Sequence, residues 1–221
     1  MDNSIIFDQQ ILQTIEKNLK ELLNECKDFN NPHIIASPRA VGDTVQEILG
    51  EKMNSCFPNG TIKEFNGSFA RRAMADVAFT DVSDNYFIAD IKTHNKNTDF
   101  NMPNLTSVER LSRLYEDDKN YFVIILAEYQ SNGLEITFDS VKLFPIEHLK
   151  WDCLTIGALG WGQIQIANAK IVNIDRSQTR KKWMLNLCDM LDIFYPKEIN
   201  KIKHRMDHFS KIRAFWENKS E

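Results

Sequence analysis

Two aspartates and a lysine stand where they could cut a phosphate ester. Asp76 lies in an apolar-rich stretch, residues 75–80, and Asp90 and Lys92 lie in a second, residues 86–92. Residues 81–85 between them are Asp, Val, Ser, Asp and Asn, a composition that favours turns because Asp, Ser and Asn side chains bond back to their own backbone. The two stretches therefore read as a strand hairpin. From Phe87 onward the second stretch alternates, with Phe87, Ala89 and Ile91 on one face and Ile88, Asp90 and Lys92 on the other. Asp90 and Lys92 then lie about 7 Å apart along one face. Tight pairing of the hairpin brings Asp76 close to Asp90.

Two carboxylates about 4 Å apart repel by several kcal/mol at a surface-like dielectric. A shared proton or a divalent cation offsets that repulsion. The neighbouring lysine suits the cation: it can orient or deprotonate a water held against a phosphate while Mg²⁺ neutralises the phosphate oxygens. An ordinary surface hairpin with an Asp–Lys pair would show the same triplet, so the spacing alone does not decide. His94, two residues on, is an alternative general base, a phosphate contact or plain surface.

The elements that must position these groups follow from periodicity. Ile11, Leu12, Ile15, Leu19, Leu22, Leu23 and Cys26 recur at helical spacing and predict an amphipathic helix over residues 8–27. Residues 30–39, with Pro32 and Pro38, read as a connector, and 41–54 as a second helix with Val41, Val45, Ile48, Leu49 and Met53 inward. Residues 61–65 predict the first sheet strand. After a polar loop, 105–116 reads as a helix. Residues 121–127 are apolar throughout and predict a central strand covered on both faces. A strand over 135–143 follows, then a glycine-rich loop over 157–162 and a strand or ribbon over 163–173. Two helices close the chain, 177–194 and 196–216, the second with Pro196 in its first turn. The order implies an α/β fold, a mixed central β-sheet flanked by helices.

The chain has 221 residues, 43% hydrophobic and 26% charged, enough for a sizeable core. The expectation is one domain over 1–221, with an N-terminal helix in 1–30, a core over 41–144 and C-terminal helices over 177–221. The net charge of −4 argues against a general DNA-coating protein, which would be basic. Basic groups nevertheless cluster at Arg71–Arg72, around Lys92 and Lys96, and over residues 176–182 and 197–213. Cys26, Cys56, Cys153 and Cys188 lack metal-type spacing and read as reduced thiols. No apolar run reaches membrane length and the start does not read as a signal peptide, so a cytoplasmic, bacterial location with no membrane partner is expected.

Asp76 followed by Asp90-Ile91-Lys92 resembles the signature of the PD-(D/E)xK nucleases, although Ala75 stands where that family has proline. Asp90 to Thr93 is similar to the blunt-cutting type II restriction enzymes EcoRV and HincII. So are Pro103-Asn104 ahead of a helix, Gln163-Ile-Gln165 after Gly162, Thr179-Arg180 with Trp183, and Gly42 with Val45-Gln46. The likeness runs in patches from about residue 39 to 195. It implies a restriction-endonuclease-like core and a Mg²⁺ cofactor held by Asp76, Asp90 and the carbonyl of Ile91. Lys92 would position the attacking water. Gln46 aligns with a glutamate that assists the metal in that family, and either it or the adjacent Glu47 would serve.

The resemblance also places a DNA-recognition region over 155–182. Gln163, Gln165 and Asn168, with Asn173 weaker, become candidate readers in the major groove, where amides pair with adenine N6 and N7. Asn101, Met102 and Asn104 correspond to a segment that approaches the minor groove and distorts the central step. Arg71, Arg72, Lys96, Arg176, Arg180 and Lys181 would hold phosphates. Cutting both strands of a palindrome in double-stranded DNA needs two sites, hence a two-fold homodimer, through the first helix or the last. Competing readings are a structure-selective repair nuclease on the same core, a non-catalytic DNA-binding module, and an α/β domain with no nucleic-acid role.

Overall fold

The structure is a computed structural model, and residues 4–67, 75–99, 103–133, 135–167 and 172–220 are described. The chain forms two compact units, Met1–Ser177 and Gln178–Glu221.

The first unit opens with helix α1 (Gln9–Glu25), whose N-cap Asp8 accepts from the backbone N–H groups of Gln10 and Ile11. Its stripe of Leu12, Ile15, Leu19 and Leu23 is buried, as the periodicity predicts. The predicted connector contains a further helical turn, α2 (Pro32–Ile35). Helix α3 (Pro38–Lys52) starts three residues before its predicted boundary. Ser37 caps it by accepting from Ala40, and Pro38 takes the first helical position, where its missing N–H is no loss.

Five strands form the main sheet: β1 (Ile62–Asn66), β2 (Val77–Asp81), β3 (Tyr86–Asn95), β5 (Asn120–Ser131) and β6 (Ile136–Pro145), in the order β1-β2-β3-β5-β6. β2 and β3 form the predicted antiparallel hairpin, with Val77 opposite Ala89. β3 and β5 run parallel over ten aligned pairs, from Tyr86↔Asn120 to Asn95↔Tyr129, and the remaining pairings are antiparallel. The sheet is mixed, with helices against it. On the face that carries Phe87, Ala89 and Ile91, the rings of Phe79, Phe87 and Tyr121 stack at 4.6 and 4.9 Å, and the apolar stripes of α1 and α3 close the core. Glu16 of α1 clasps distant chain: its carboxylate accepts from the backbone N–H of Leu143 at 3.0 Å and from Arg176 at 3.1 Å. The turn between β2 and β3 is held by buried Asp81, which accepts from Ser4 and from the backbone and side chain of Asn85.

A second sheet has the order β4-β8-β7, from β4 (Asn104–Ser107), β7 (Leu154–Gly157) and β8 (Gln163–Ile166). Residues 105–107 are thus strand, where a helix was expected. Thr106 pairs with Ile164, and helix α4 (Val108–Leu114) begins only after Ser107 caps it by accepting from Arg110. A short apolar run next to a capping serine satisfies both patterns, and the cross-strand partner decides. β8 ends at Ile166, shorter than the expected ribbon.

The second unit is one helix, α5 (Arg180–Glu217), capped by Thr179 and carrying Pro196 in its interior. It corrects the expectation of two helices. Pro196 removes one backbone N–H but does not end the helix. Among the described residues no helix is long and apolar enough to cross a membrane.

Candidate active site

The three groups singled out by spacing meet at the end of the β2–β3 hairpin. Asp76 immediately precedes β2, and its backbone N–H donates to the carbonyl of Ala89 at 2.9 Å. Its carboxylate then accepts from the backbone N–H of Ile91 at 2.7 Å. The side chain thereby supplies a ladder rung just past the strand's end. Asp90 and Lys92 share a face as expected, and Lys92 Nζ donates to Asp90 Oδ1 at 2.7 Å.

Asp90 is only 6% exposed. Its Oδ2 is buried and has no hydrogen-bond partner among the described residues. Burial pushes the Asp90 carboxyl up to about 7; the Lys92 ammonium opposes that shift and the Asp76 charge adds to it. Asp76 is also raised, again chiefly by burial, with the Ile91 N–H and Lys92 pulling the other way. The cluster is thus short of positive charge and of hydrogen-bond donors on the carboxylate side.

A divalent cation fits that deficit. Among the described residues no three His, Cys, Asp or Glu side chains converge to hold a metal. Two carboxylates and a nearby carbonyl suit Mg²⁺, which is held by one or two carboxylates and completes its octahedron with waters and substrate phosphate. Asp76, Asp90 and Ile91 are the groups that would hold it. Gln46 is half-buried and Glu47 exposed on α3, which packs on the opposite, Phe87-bearing face of the sheet. Among the described residues neither is hydrogen-bonded to Asp76, Asp90 or Lys92.

His94 is 4% exposed, and its Nε2 pairs with the Thr98 carbonyl at 2.9 Å. That contact holds the turn after β3 and gives the ring a structural role. Lys96 forms an ion pair with Asp139 at 3.1 Å, and Arg176 one with Glu16 at 3.1 Å. A phosphate would have to compete with these partners. Arg180 and Lys181 open α5 in the second unit. Arg71, Arg72, Asn101, Met102 and Asn168 lie outside the described residues.

Of the proposed readers, Asn104, Gln163 and Gln165 lie on the second sheet. Gln163 and Gln165 alternate with buried Ile164 and Ile166, so their amides share the half-exposed face. Asn104 pairs with Gln165 across the strands, and Gln165 Nε2 donates to Asn104 Oδ1 at 2.6 Å. The two stretches that the resemblance assigns to opposite grooves therefore form a single amide patch. Asn173 lies off this sheet, bonded through its amide to Asp152 at 3.1 Å. Two residues of this region were not anticipated. Gly157 lies under Gln165, where an added Cβ would come within 2.7 Å of Oε1. Trp161, 54% exposed, stands in the turn between β7 and β8 with Arg113 5.9 Å above its ring. A tryptophan between Gly160 and Gly162 was the available signal for it.

No protein-family model matches the chain, and no curated protein matches it either.

Proposed function

We propose that the protein is a magnesium-dependent DNA endonuclease of the type II restriction kind, hydrolysing both strands of a specific palindromic sequence. The observation that carries this reading is the buried Oδ2 of Asp90, without a hydrogen-bond partner among the described residues, beside Asp76, with Lys92 bonded to the same carboxylate. Mg²⁺, when bound, supplies positive charge against the phosphate oxygens and the departing 3′ oxygen. The carboxylates of Asp76 and Asp90 and the carbonyl of Ile91 hold it. Lys92, which donates to Asp90, would orient the attacking water in line with the scissile bond. The products are 5′-phosphate and 3′-hydroxyl ends, and by resemblance the cut is blunt. The Asn104–Gln165 amide patch with Gln163 supplies base contacts, for which amides favour adenine. Two copies of the chain serve the two strands.

The test is digestion of two large sequenced DNAs by purified protein with Mg²⁺, beside Lys92→Ala protein and an EDTA control. Discrete fragments that vanish in both controls are expected, and sequencing their ends yields site and stagger. A smear would replace the reading with a non-specific or repair nuclease. Intact DNA from both genomes, with a retained gel shift, would replace it with a binding module.

A further inference from the structure

The distal part of α5 carries an apolar seam that is exposed among the described residues. Every side chain from Ile199 to Glu217 is exposed. Within that span and just before it, Tyr195, Ile199, Ile202, Met206, Phe209 and Trp216 are between 37% and 66% exposed. Their spacing alternates four and three residues, with Arg213 filling the step before Trp216. That is the 3.5-residue period of a helix whose seam faces another helix, rather than the 3.6-residue period of one lying on a broad surface. Glu198 and Arg205 border it on one side and Lys203 and Ser210 on the other; exposed Ile212 widens the first side toward the end of the helix, and exposed Phe215 lies outside the seam. A solitary helix with such a stripe is poorly stable in water, because helical stability comes mostly from packing an apolar face.

We propose that this seam pairs with the same seam of a second copy of the chain, as a parallel two-stranded coiled coil. One flanking charge pair suits the parallel direction. In a parallel pair the residue preceding each first seam position lies beside the residue five further on in the other helix. Glu198, which pairs with Lys201 of its own helix at 2.6 Å, then also lies beside the Lys203 of the other copy, and two-fold symmetry makes the contact twice. Lys203 has no ion-pair partner among the described residues. Arg213 falls at a seam position, where a single charged residue costs stability but fixes register and a two-stranded state. It already reaches out of the seam to Glu217 at 3.6 Å. Six side chains of these sizes, about half exposed, bury about 600 Å² per helix, so the pair passes the roughly 1,000 Å² that a specific interface needs. A lipid surface is the other natural ligand of a basic helix with aromatic residues. It meets a broader apolar face than the stretch from Ile199 to Phe209, which Glu198, Arg205 and Lys203 border. The inference does not rest on the nuclease reading, since it uses α5 alone.

The experiment is the mass of the full chain in solution by light scattering, at micromolar concentration. Twice the 25.7 kDa chain mass is expected. Ile202→Glu with Phe209→Glu should weaken association at least tenfold while the circular dichroism of the sheet-bearing unit persists. Glu198→Lys should weaken it, and adding Lys203→Glu should restore it, a rescue that misfolding could not produce. Ile202→Cys in a Cys188→Ser background should form a covalent dimer on mild oxidation, because a parallel seam places residue 202 against itself. A single-chain mass for the wild type, or a dimer indifferent to the seam substitutions, would overturn the proposal. So would monomers that bind vesicles of anionic phospholipid.

Discussion

The clearest perturbation is Asp90→Asn in metal-free protein. The Asp90 carboxyl is pushed up to about 7 in the folded chain, against an ordinary value of 3.8. The folded state therefore binds a proton that the unfolded state has released, between about pH 4 and pH 7. Stability falls wherever the folded state holds the extra proton, by about 1.4 kcal/mol per pH unit. Below that window both states are protonated and the residue costs nothing. Above it the charged carboxylate costs the fold about 4 kcal/mol in all, by the same linkage. Asparagine keeps the shape and does not titrate. The difference in unfolding free energy between Asp90→Asn and wild type should thus grow by about 3 kcal/mol from pH 5 to pH 8 in EDTA. Every other group titrates in both proteins, so the comparison reads Asp90 together with its coupling to Asp76 and Lys92. Urea denaturation at the two pH values measures it. Saturating Mg²⁺ at pH 8 should then restore the wild type, by about 2.7 kcal/mol at a hundred times its dissociation constant, and leave Asp90→Asn unmoved. A difference that stays level or narrows as pH rises would refute the reasoning, and equal stabilisation of both proteins by Mg²⁺ would refute the ligand assignment.

Asp81→Ala strands Ser4 and Asn85 donors in the buried turn and should cost about 3 kcal/mol, read as a lower urea midpoint with an unchanged slope. Gly157→Ala forces the Gln165 amide off its place beside Asn104; the melting temperature should hold while base preference at the adjacent position relaxes, read by cleavage of a randomised-site library. Pro196→Ala gives α5 a missing backbone donor and should raise helical circular dichroism, stabilising the second unit by up to about 3 kcal/mol. A loss of helicity there would mean that the proline sets a bend the helix needs.

Where a single periodicity ran unopposed, sequence and structure agree. The alternation from Phe87 to Lys92 settles which side chains face α1 and α3 and which face away. The unbroken apolar run of residues 121–127 marks an interior strand, β5, buried throughout that run but second from the sheet's edge rather than central. The carboxylate–lysine contact follows from a two-residue spacing on one strand. What was not legible depends on partners far along the chain. Leu105 and Thr106 fit a helix as well as a strand until β8 is known to lie beside them. Ser37-Pro38 is a helix start, a capping hydroxyl ahead of a proline at the first helical position, inside the stretch expected to be a connector. Pro196 suits a helix start equally well, yet it lies within α5. The Asp76 carboxylate's place in the backbone ladder could not be foreseen, since it needs the hairpin's register to within one residue. Nor could the meeting of Asn104 with Gln165, 61 residues apart.

The clasp at Glu16 has a consequence for how the protein comes into being. Its carboxylate joins α1 to the backbone of Leu143, 127 residues later, and to Arg176, 160 residues later. Loop closure over such separations precedes any reward from the contacts, which slows folding. A nascent chain, growing at roughly 5–20 residues per second, carries α1 for many seconds before the strand that covers it has been made. During that interval the stripe of Leu12, Ile15, Leu19 and Leu23 is an exposed hydrophobic surface, a natural substrate for chaperones. The β2–β3 hairpin, by contrast, can pair as soon as residue 92 has emerged. The carboxylate cluster is therefore assembled early, and the core that supports it is completed late.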